Sequence, residues 1–287
     1  MADSASPSST SPTVARWEFA RRIKVRRDDL DLRIDAVAKH LGFSRNFYSA
    51  VENERSMLAV DKLEPLFDLL EFEDQDRDEL RELNEAARRR SELGGLAGDE
   101  AGERFIGLEQ GASRIRTFES FVWPGLFQLP EYAAAVFGAD PRRARAAIDD
   151  YVSLRIRRQE KVFGKGTPVQ AVVSEAVVMQ QWGSRDLQHE QLRHILSLLE
   201  HGEVELRVLR FDTVPGMIIN CSTLVLLSFE SPHLPELSYD ESLGGVHVFE
   251  DVDPAFEPIR LAWSDGVARA LDPEESAQLL SSRLDEA

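Results

Sequence analysis

Through the first ninety residues apolar side chains recur every three or four positions, the period of helices that each bury one face. Five short helices fit residues 14–91. The first runs from Val14 to about Asp29, with Trp17, Ala20 and Ile23 on one side. The second covers 33–40 and turns Ile34, Val37, Ala38 and Leu41 inward. Gly42 stops it, and Ser44 suits the N-cap of a third helix over 45–53. Asp61 with Glu64 three residues on has the form of a capping box for a fourth helix carrying Leu63, Leu66, Phe67 and Leu70. A fifth spans Asp76 to about Arg90, with Leu80, Leu83 and Ala87 inward.

Helices two and three meet the requirements of a helix-turn-helix. Ala38 is the small residue where the two helices cross, and Gly42 is a turn residue that tolerates left-handed backbone. Val37, Leu41, Tyr48 and Val51 lock the angle between them. These apolar positions alone would also serve a plain helical hairpin. The order Val-Ala-x-x-Leu-Gly-Phe-Ser followed by Tyr-x-x-Val-Glu-Asn asks for more than a hairpin does.

The stretch SELGGLAGDEAGE, 91–103, holds four glycines and four acids with little to bury, and residues 92–104 read as a linker. Beyond it the pattern changes. Strand-like runs fall at Val169–Val173, Val204–Arg210, Thr223–Phe229, Glu236–Tyr239 and Val246–Phe249. Helical stretches fall at Pro130–Phe137, Arg142–Phe163, Asp186–His201, Phe256–Leu271 and Pro273–Leu284. Gly244–Gly245 between two β-rich runs signals a hairpin. The pattern predicts a larger α/β or α+β mixed-sheet domain over 105–285.

A length of 287 residues fits two domains. No run approaches the roughly 18–20 consecutive apolar residues that span a bilayer, so no membrane association is expected. Residues 1–13, rich in Ser, Pro and Thr, lack the basic start and apolar core of a signal peptide and read as a disordered tail. Cys221 is the single cysteine, which excludes an internal disulfide and a thiolate zinc cluster. Together these features predict a cytoplasmic protein. The net charge of −17 argues at first against a polyanionic partner. The charge is uneven, however. Residues 15–55 carry ten Lys/Arg against seven Asp/Glu, a net +3, and the remainder carries −20. A small nucleic-acid-binding head on an acidic body has this asymmetry, and so does one solvated basic helix face.

The second domain offers little catalytic chemistry. There is no glycine-rich phosphate loop, no HExxH and no G-x-S-x-G. His189, His194 and His201 lack a carboxylate or thiolate at ligand spacing and read as solvated helix residues. Asp240, Glu241, Glu250, Asp251 and Asp253 read as a solvent-facing acidic rim rather than a weak metal site. Cys221 reads as a lone semi-buried thiol. RIRRQ at 155–159 sits late in a helix, where basic residues favour the dipole, so a structural role is the default. Trp123-Pro124-Gly125-Leu126 is a rigid apolar turn that suits either core or an exposed contact patch. No cofactor, no metal and no enzymatic activity are expected.

On these motifs, residues 18–75 resemble the lambda-repressor-like domains of the Xre class, an all-α five-helix fold. The resemblance implies that helix three lies in the major groove of double-stranded DNA with its N-terminal residues towards the base edges. Arg45 and Asn46 would then be the base readers, since Arg can donate twice to guanine and Asn can pair with adenine. Phe47 would add a thymine-methyl contact and Ser49 a polar one. Arg33, Asn53 and Arg55, with Arg22 and Arg26 of helix one, would anchor phosphates. The family's pairing of an Arg late in helix one with a Glu late in helix three falls on Arg27 and Glu52. Two positions depart from the family: Ile34 replaces a usual Gln, and Glu54 a usual Gly. Both bear on affinity for DNA more than on fold.

A second resemblance covers 105–285. It rests on LEQGASRIRTFESFVWPGLFQLPEYAAAV (108–136), RIRRQE (155–160), SEAVVMQQWGS (174–184), QLRHILSL (191–198), VELRVLRFD (204–212) and LDPEES (271–276). Together these resemble the C-terminal domain of unknown function joined to Xre-type heads in actinobacterial, antitoxin-like regulators, often encoded beside a small partner protein. The expectation is therefore a transcriptional regulator that binds DNA as a homodimer and is controlled through its acidic domain by a small separately encoded protein or a ligand. An antitoxin-like protein that mainly neutralises a small partner is the alternative. An enzyme localised to DNA is a third reading, set back by the missing motifs.

Overall fold

A computed structural model describes residues 11–91, 93, 100–242 and 245–285, with the backbone alone at 242, 245 and 246. Within it the chain forms two compact units: Met1–Gly94 with Ser231–Leu234, and Gly95–Glu230 with Pro235–Ala287.

The first unit is helical. It comprises α1 (Pro12–Asp29), α2 (Ile34–Leu41), α3 (Arg45–Glu52), α4 (Leu63–Leu69) and α5 (Asp74–Ala87). Helix α1 starts two residues before Val14: Pro12 occupies the first turn, and the Ser11 hydroxyl accepts from the Val14 amide at 3.2 Å. Ser11–Thr13 therefore belong to a capped helix rather than a tail, and residues 1–10 lie outside the described residues. Phe19, Ile23, Val37, Leu41, Tyr48, Val51, Leu66, Phe67 and Leu80 join in one core. The expected capping box at Asp61 does not form. Residues Val60–Lys62 make a turn of 3-10 helix, and neither this turn nor α4 has a side-chain cap. Glu64 instead accepts from Arg81 at 2.8 Å.

In the second unit α6 (Glu100–Gly111) begins inside the stretch expected to be a linker. Acids Glu100 and Glu103 sit in its first turn, where they favour the positive end of the helix. The rest of that linker, 92 and 94–99, lies outside the described residues. There follow β1 (Arg114–Glu119), α7 (Pro130–Ala139), α8 (Ile148–Gly164), β2 (Val169–Ser174), α9 (Glu175–Met179), α10 (Arg185–Glu200) and β3 (Val204–Leu209). Then come β4 (Thr223–Ser228), β5 (Leu237–Ser242), β6 (Gly245–Glu250), α11 (Phe256–Arg269) and α12 (Pro273–Asp285). The six strands form one mixed sheet in the order β3-β2-β1-β4-β5-β6. β1, β2 and β3 run parallel; β1/β4, β4/β5 and β5/β6 are antiparallel. Ser242 pairs with Gly245 in the β5/β6 hairpin, while residues 243 and 244 lie outside the described residues. At the β3 edge, the buried Ser276 hydroxyl of α12 accepts from the Val208 amide at 3.0 Å.

β1 escaped the periodicity reading although it stands at the junction of the parallel and antiparallel halves. Its polar residues are held by distant partners: Arg116 pairs with Glu236, and Glu119 accepts from the Thr223 hydroxyl at 2.9 Å. Successive residues point to opposite faces of the sheet. On one face Phe118, Val172, Leu224 and Leu226 pack with Phe256 and Trp263 of α11. The other face, bearing Ile115, Thr117 and Glu119, looks towards α6, α7 and α8.

Gly42 tests the turn of the helical unit. Its φ of +78° is left-handed, yet nothing lies within 4 Å of where a Cβ would stand. Gly42→Ala should cost ~1–2 kcal/mol from backbone strain alone. A urea unfolding midpoint no lower than that of the native chain would contradict this.

Candidate functional site

The α2–turn–α3 segment is built from local signals. Gly42 donates to the Lys39 carbonyl at 3.2 Å, and the Phe43 amide to Ala38 at 2.8 Å, which closes α2. The Ser44 hydroxyl accepts from the Phe47 amide at 3.2 Å and caps α3. Ala38 is 1% exposed where α2 packs in the core. At the far end of α3, Glu54 adopts φ +63°, so this residue takes the left-handed turn without glycine.

One buried ion pair fixes the orientation of α3 against α1. Arg27 donates through Nε to Glu52 Oε1 at 2.7 Å and through Nη2 to Oε2 at 3.0 Å. The side chains are 8% and 2% exposed. The hydrogen bond to Glu52 is the main reason the Arg27 pKa stands above its usual value. The Arg27 Nη1 also donates to the Leu32 carbonyl at 2.8 Å, tying down the α1–α2 connection. Burial, and then the Glu52 charge, push the phenol of Tyr48 upward.

Arg45 and Asn46 are exposed at the first turn of α3. The Arg45 Nε lies 3.0 Å from Asp35, whose other oxygen lies 3.4 Å from Arg33. Such exposed pairs are worth at most about 1 kcal/mol, so DNA phosphates or bases can displace them. Phe47 is half-buried: its ring sits 4.5 Å from that of Phe43 and packs against the core, so only part of it is open to a thymine methyl. Ser49 is half-buried. Its carbonyl accepts from Asn53 Nδ2 at 2.7 Å, which commits Asn53 to the end of α3 rather than leaving it free for a phosphate. Arg55 is exposed.

Two expected phosphate anchors are corrected. Arg22 is 5% exposed and pairs with Asp76 at 2.5 Å and Glu79 at 2.7 Å, so its charge is spent inside the unit. Arg26 donates to the carbonyls of Leu70 and Glu71 at 2.8 and 3.0 Å, closing the end of α4. These partners all come from residues 70–79. A count of charges along 15–55 sees the sign of these arginines and not their engagement.

The second unit contains chemistry that the motif search passed over. A cavity of about 590 Å³ lies between the sheet face of Glu119 and helices α6, α7 and α8. Trp123, fully buried, lines it, which places the Trp-Pro-Gly-Leu turn in the core rather than on a contact patch. Glutamines pin that turn. Gln128 Nε2 donates to the Trp123 carbonyl at 2.6 Å, and Gln159 Nε2 to Gly125 and Gln128 at 2.9 and 2.8 Å. Gln191 Nε2 donates to Phe127 at 2.7 Å. RIRRQ thus works inward: Arg158 grips Glu109 at 2.8 Å through two nitrogens, and Arg155 bonds the Gln128 amide oxygen. Glu119 is 8% exposed, and burial pushes its carboxyl up to about 8. Burial and the neighbouring Arg158 bring the Arg155 guanidinium down to about 9. Elsewhere His201 Nδ1 lies 2.7 Å from the Ser197 carbonyl one turn back on the same element, and Cys221 is half-buried.

A helix-turn-helix domain model matches residues 18–80, and a model described as "Domain of unknown function (DUF5753)" matches residues 103–282. Neither the curated proteins nor the solved structures give a match.

Arg27→Met leaves Glu52 buried without its partner and should cost ~3–5 kcal/mol, most of it regained in Arg27→Met/Glu52→Leu. Equal unfolding midpoints for native and single variant would count against the pair. Glu119 has the opposite sign to a paired carboxylate. From the ordinary glutamate range up to about 8, the folded state holds a proton that the unfolded state has lost. Stability therefore falls as pH rises through that window and levels off above it. Glu119→Gln should remove this component, read as a flatter profile of melting temperature against pH. An unchanged profile would place the proton elsewhere.

Proposed function

We propose that this chain, which belongs to the DUF5753 family, is a sequence-specific transcriptional regulator of Xre type, actinobacterial in character and active in the cytoplasm. Its helix-turn-helix domain equips it to bind DNA. In the proposed reading α3 enters the major groove, Arg45 and Asn46 read bases, and Arg33 and Arg55 hold phosphates. The observation that carries the reading is the first turn of α3. Two long polar side chains stand exposed there on a helix capped by Ser44 and braced from beneath by Arg27–Glu52.

A single small reading helix contacts too few base pairs for useful specificity, so the regulator acts as a homodimer. Its two reading helices lie about 34 Å apart along a near-palindromic operator. The second unit is a control domain, responsive to a small separately encoded protein or a ligand, and is not an enzyme. An antitoxin-like role, in which DNA binding serves autoregulation, shares this architecture and differs in what the partner gains. Native pull-down separates the two.

Arg45→Ala should weaken binding to the selected operator by ~1–3 kcal/mol and relax its sequence preference. Fluorescence anisotropy against operator and scrambled duplexes reads both effects. Unchanged affinity and preference would overturn the assignment of Arg45. Light scattering that finds one chain per operator would overturn the dimer.

A further inference from the structure

We propose that the cavity of the second unit binds a small organic carboxylate with a planar body, its anion held by Arg155 and its body lodged among Trp123, Phe137 and Tyr151. The inference deepens the ligand-control part of the proposed function and is independent of DNA binding.

Ion-pair contacts around the cavity single out Arg155. Four arginines and four carboxylates, Glu109, Glu119, Asp140 and Glu241, line it. Arg158 is matched by Glu109, and Arg142 and Arg143 share Asp140 at 2.9 and 3.5 Å. Arg155 has no carboxylate partner among the described residues. Its Nη1 bonds the neutral Gln128 amide, and its buried Nε has no hydrogen-bond partner among those residues. Glu119 is close enough to act on it electrostatically but makes no ion pair with it, and its carboxylate accepts from the Thr223 hydroxyl instead. A part-buried guanidinium without an ion-paired counter-ion carries a desolvation cost, and an incoming anion relieves it.

A second, independent observation concerns Trp123. Trp123 is fully buried and lines the cavity, and its indole N–H has no partner among the described residues. Buried indole donors ordinarily find an acceptor. Aromatic rings stand among the charged groups of the wall, with Arg143 stacked over Phe137 and Tyr151 at 5.0 and 4.5 Å. Arg155 stacks 4.6 Å from the Phe137 ring, and Phe137 and Tyr151 lie 5.6 Å apart. The volume falls within the roughly 300–1,000 Å³ of small-molecule sites. One unmatched guanidinium with neutral donors suits a monoanion, and a phosphate dianion would need a second cation. Gly125 completes the fit: a Cβ there would stand 3.2 Å from the Arg155 guanidinium carbon, so the glycine lets Arg155 lie against the turn.

The test uses the full chain at pH 7 with indole-3-acetate and benzoate, their neutral amides, and inorganic phosphate, by calorimetry and thermal shift. The carboxylates should bind and raise the melting temperature, and the amides should bind at least tenfold more weakly. Arg155→Met removes an unmatched part-buried charge, so it should melt no lower than the native chain while losing the carboxylate response. Gly125→Ala keeps the charge but displaces the guanidinium, and should weaken carboxylate binding several-fold. Equal binding of acids and amides, no binding of either, preference for phosphate, or an unchanged response in both variants would overturn the inference. Operator binding by Arg155→Met without probe should match the native chain. Carboxylate binding by a native chain that binds no operator sinks the DNA reading and leaves the site standing, whereas operator binding without carboxylate binding sinks the carboxylate site alone.

Discussion

Arg27 and Glu52 are removed from water together, and what the helical unit offers to DNA depends on their being matched. Two parallel hydrogen bonds satisfy the carboxylate, and the remaining guanidinium nitrogen is taken by the Leu32 carbonyl. The pair therefore does more than join α1 to α3. It also fixes where α2 must begin, because Leu32 lies in the connection that leads into it. Apolar packing of Tyr48 and Val51 could tolerate a small rotation of α3, since hydrophobic contact is not directional. A bidentate guanidinium–carboxylate pair is directional and does not tolerate it. In the proposed reading orientation matters, because side chains on the first turn of α3 are to reach base edges within hydrogen-bond distance.

The second unit turns the same physics around. Arg158–Glu109 and Arg116–Glu236 are part-buried and matched, and they act as framework. Glu119 is buried and Arg155 part-buried, and neither has an ion-pair contact among the described residues: burial displaces each from its ordinary pKa towards its neutral form, and both line one cavity. Perturbed groups of this kind at a concave site mark it as a candidate for ligand binding.

How far these features were legible follows from how local their causes are. The turn at Ala38–Ser44 could be read because its small residue, its left-handed glycine and its cap sit within seven positions, each acting on its neighbours. β2 and β4 could be read as largely apolar runs, and β3 from the alternation of Val204, Leu206 and Val208 with Glu205 and Arg207. β1 could not, because Arg116 and Glu119 make it look polar and their partners lie 120 and 104 residues away. The same blindness made Arg22 and Arg26 look like phosphate ligands and made RIRRQ look like a helix terminus. Sequence shows a charge, whereas burial and partnership decide its use. Asp61 fails as a cap for a nearer reason: the chain enters α4 through a 3-10 turn, which removes the extended backbone that an N-cap side chain needs.

The two unmatched groups also set what control through the second unit can amount to. A ligand changes affinity for DNA only by the difference in its own affinity for the DNA-bound and free forms of the protein. That coupling is reciprocal, so operator DNA must change carboxylate affinity by the same factor. Tight binding at Arg155 would by itself regulate nothing. Regulation requires that the guanidinium's surroundings differ between the two forms. The turn at 123–128 is the element able to carry such a difference, since Gly125, Gln128 and Trp123 all touch the site and glutamines from α8 and α10 hold the turn in place. Under the proposed control, a domain built this way would transmit through the positions of a few amide hydrogen bonds rather than through its apolar core, because a close-packed core resists the small displacements that a pinned turn accommodates.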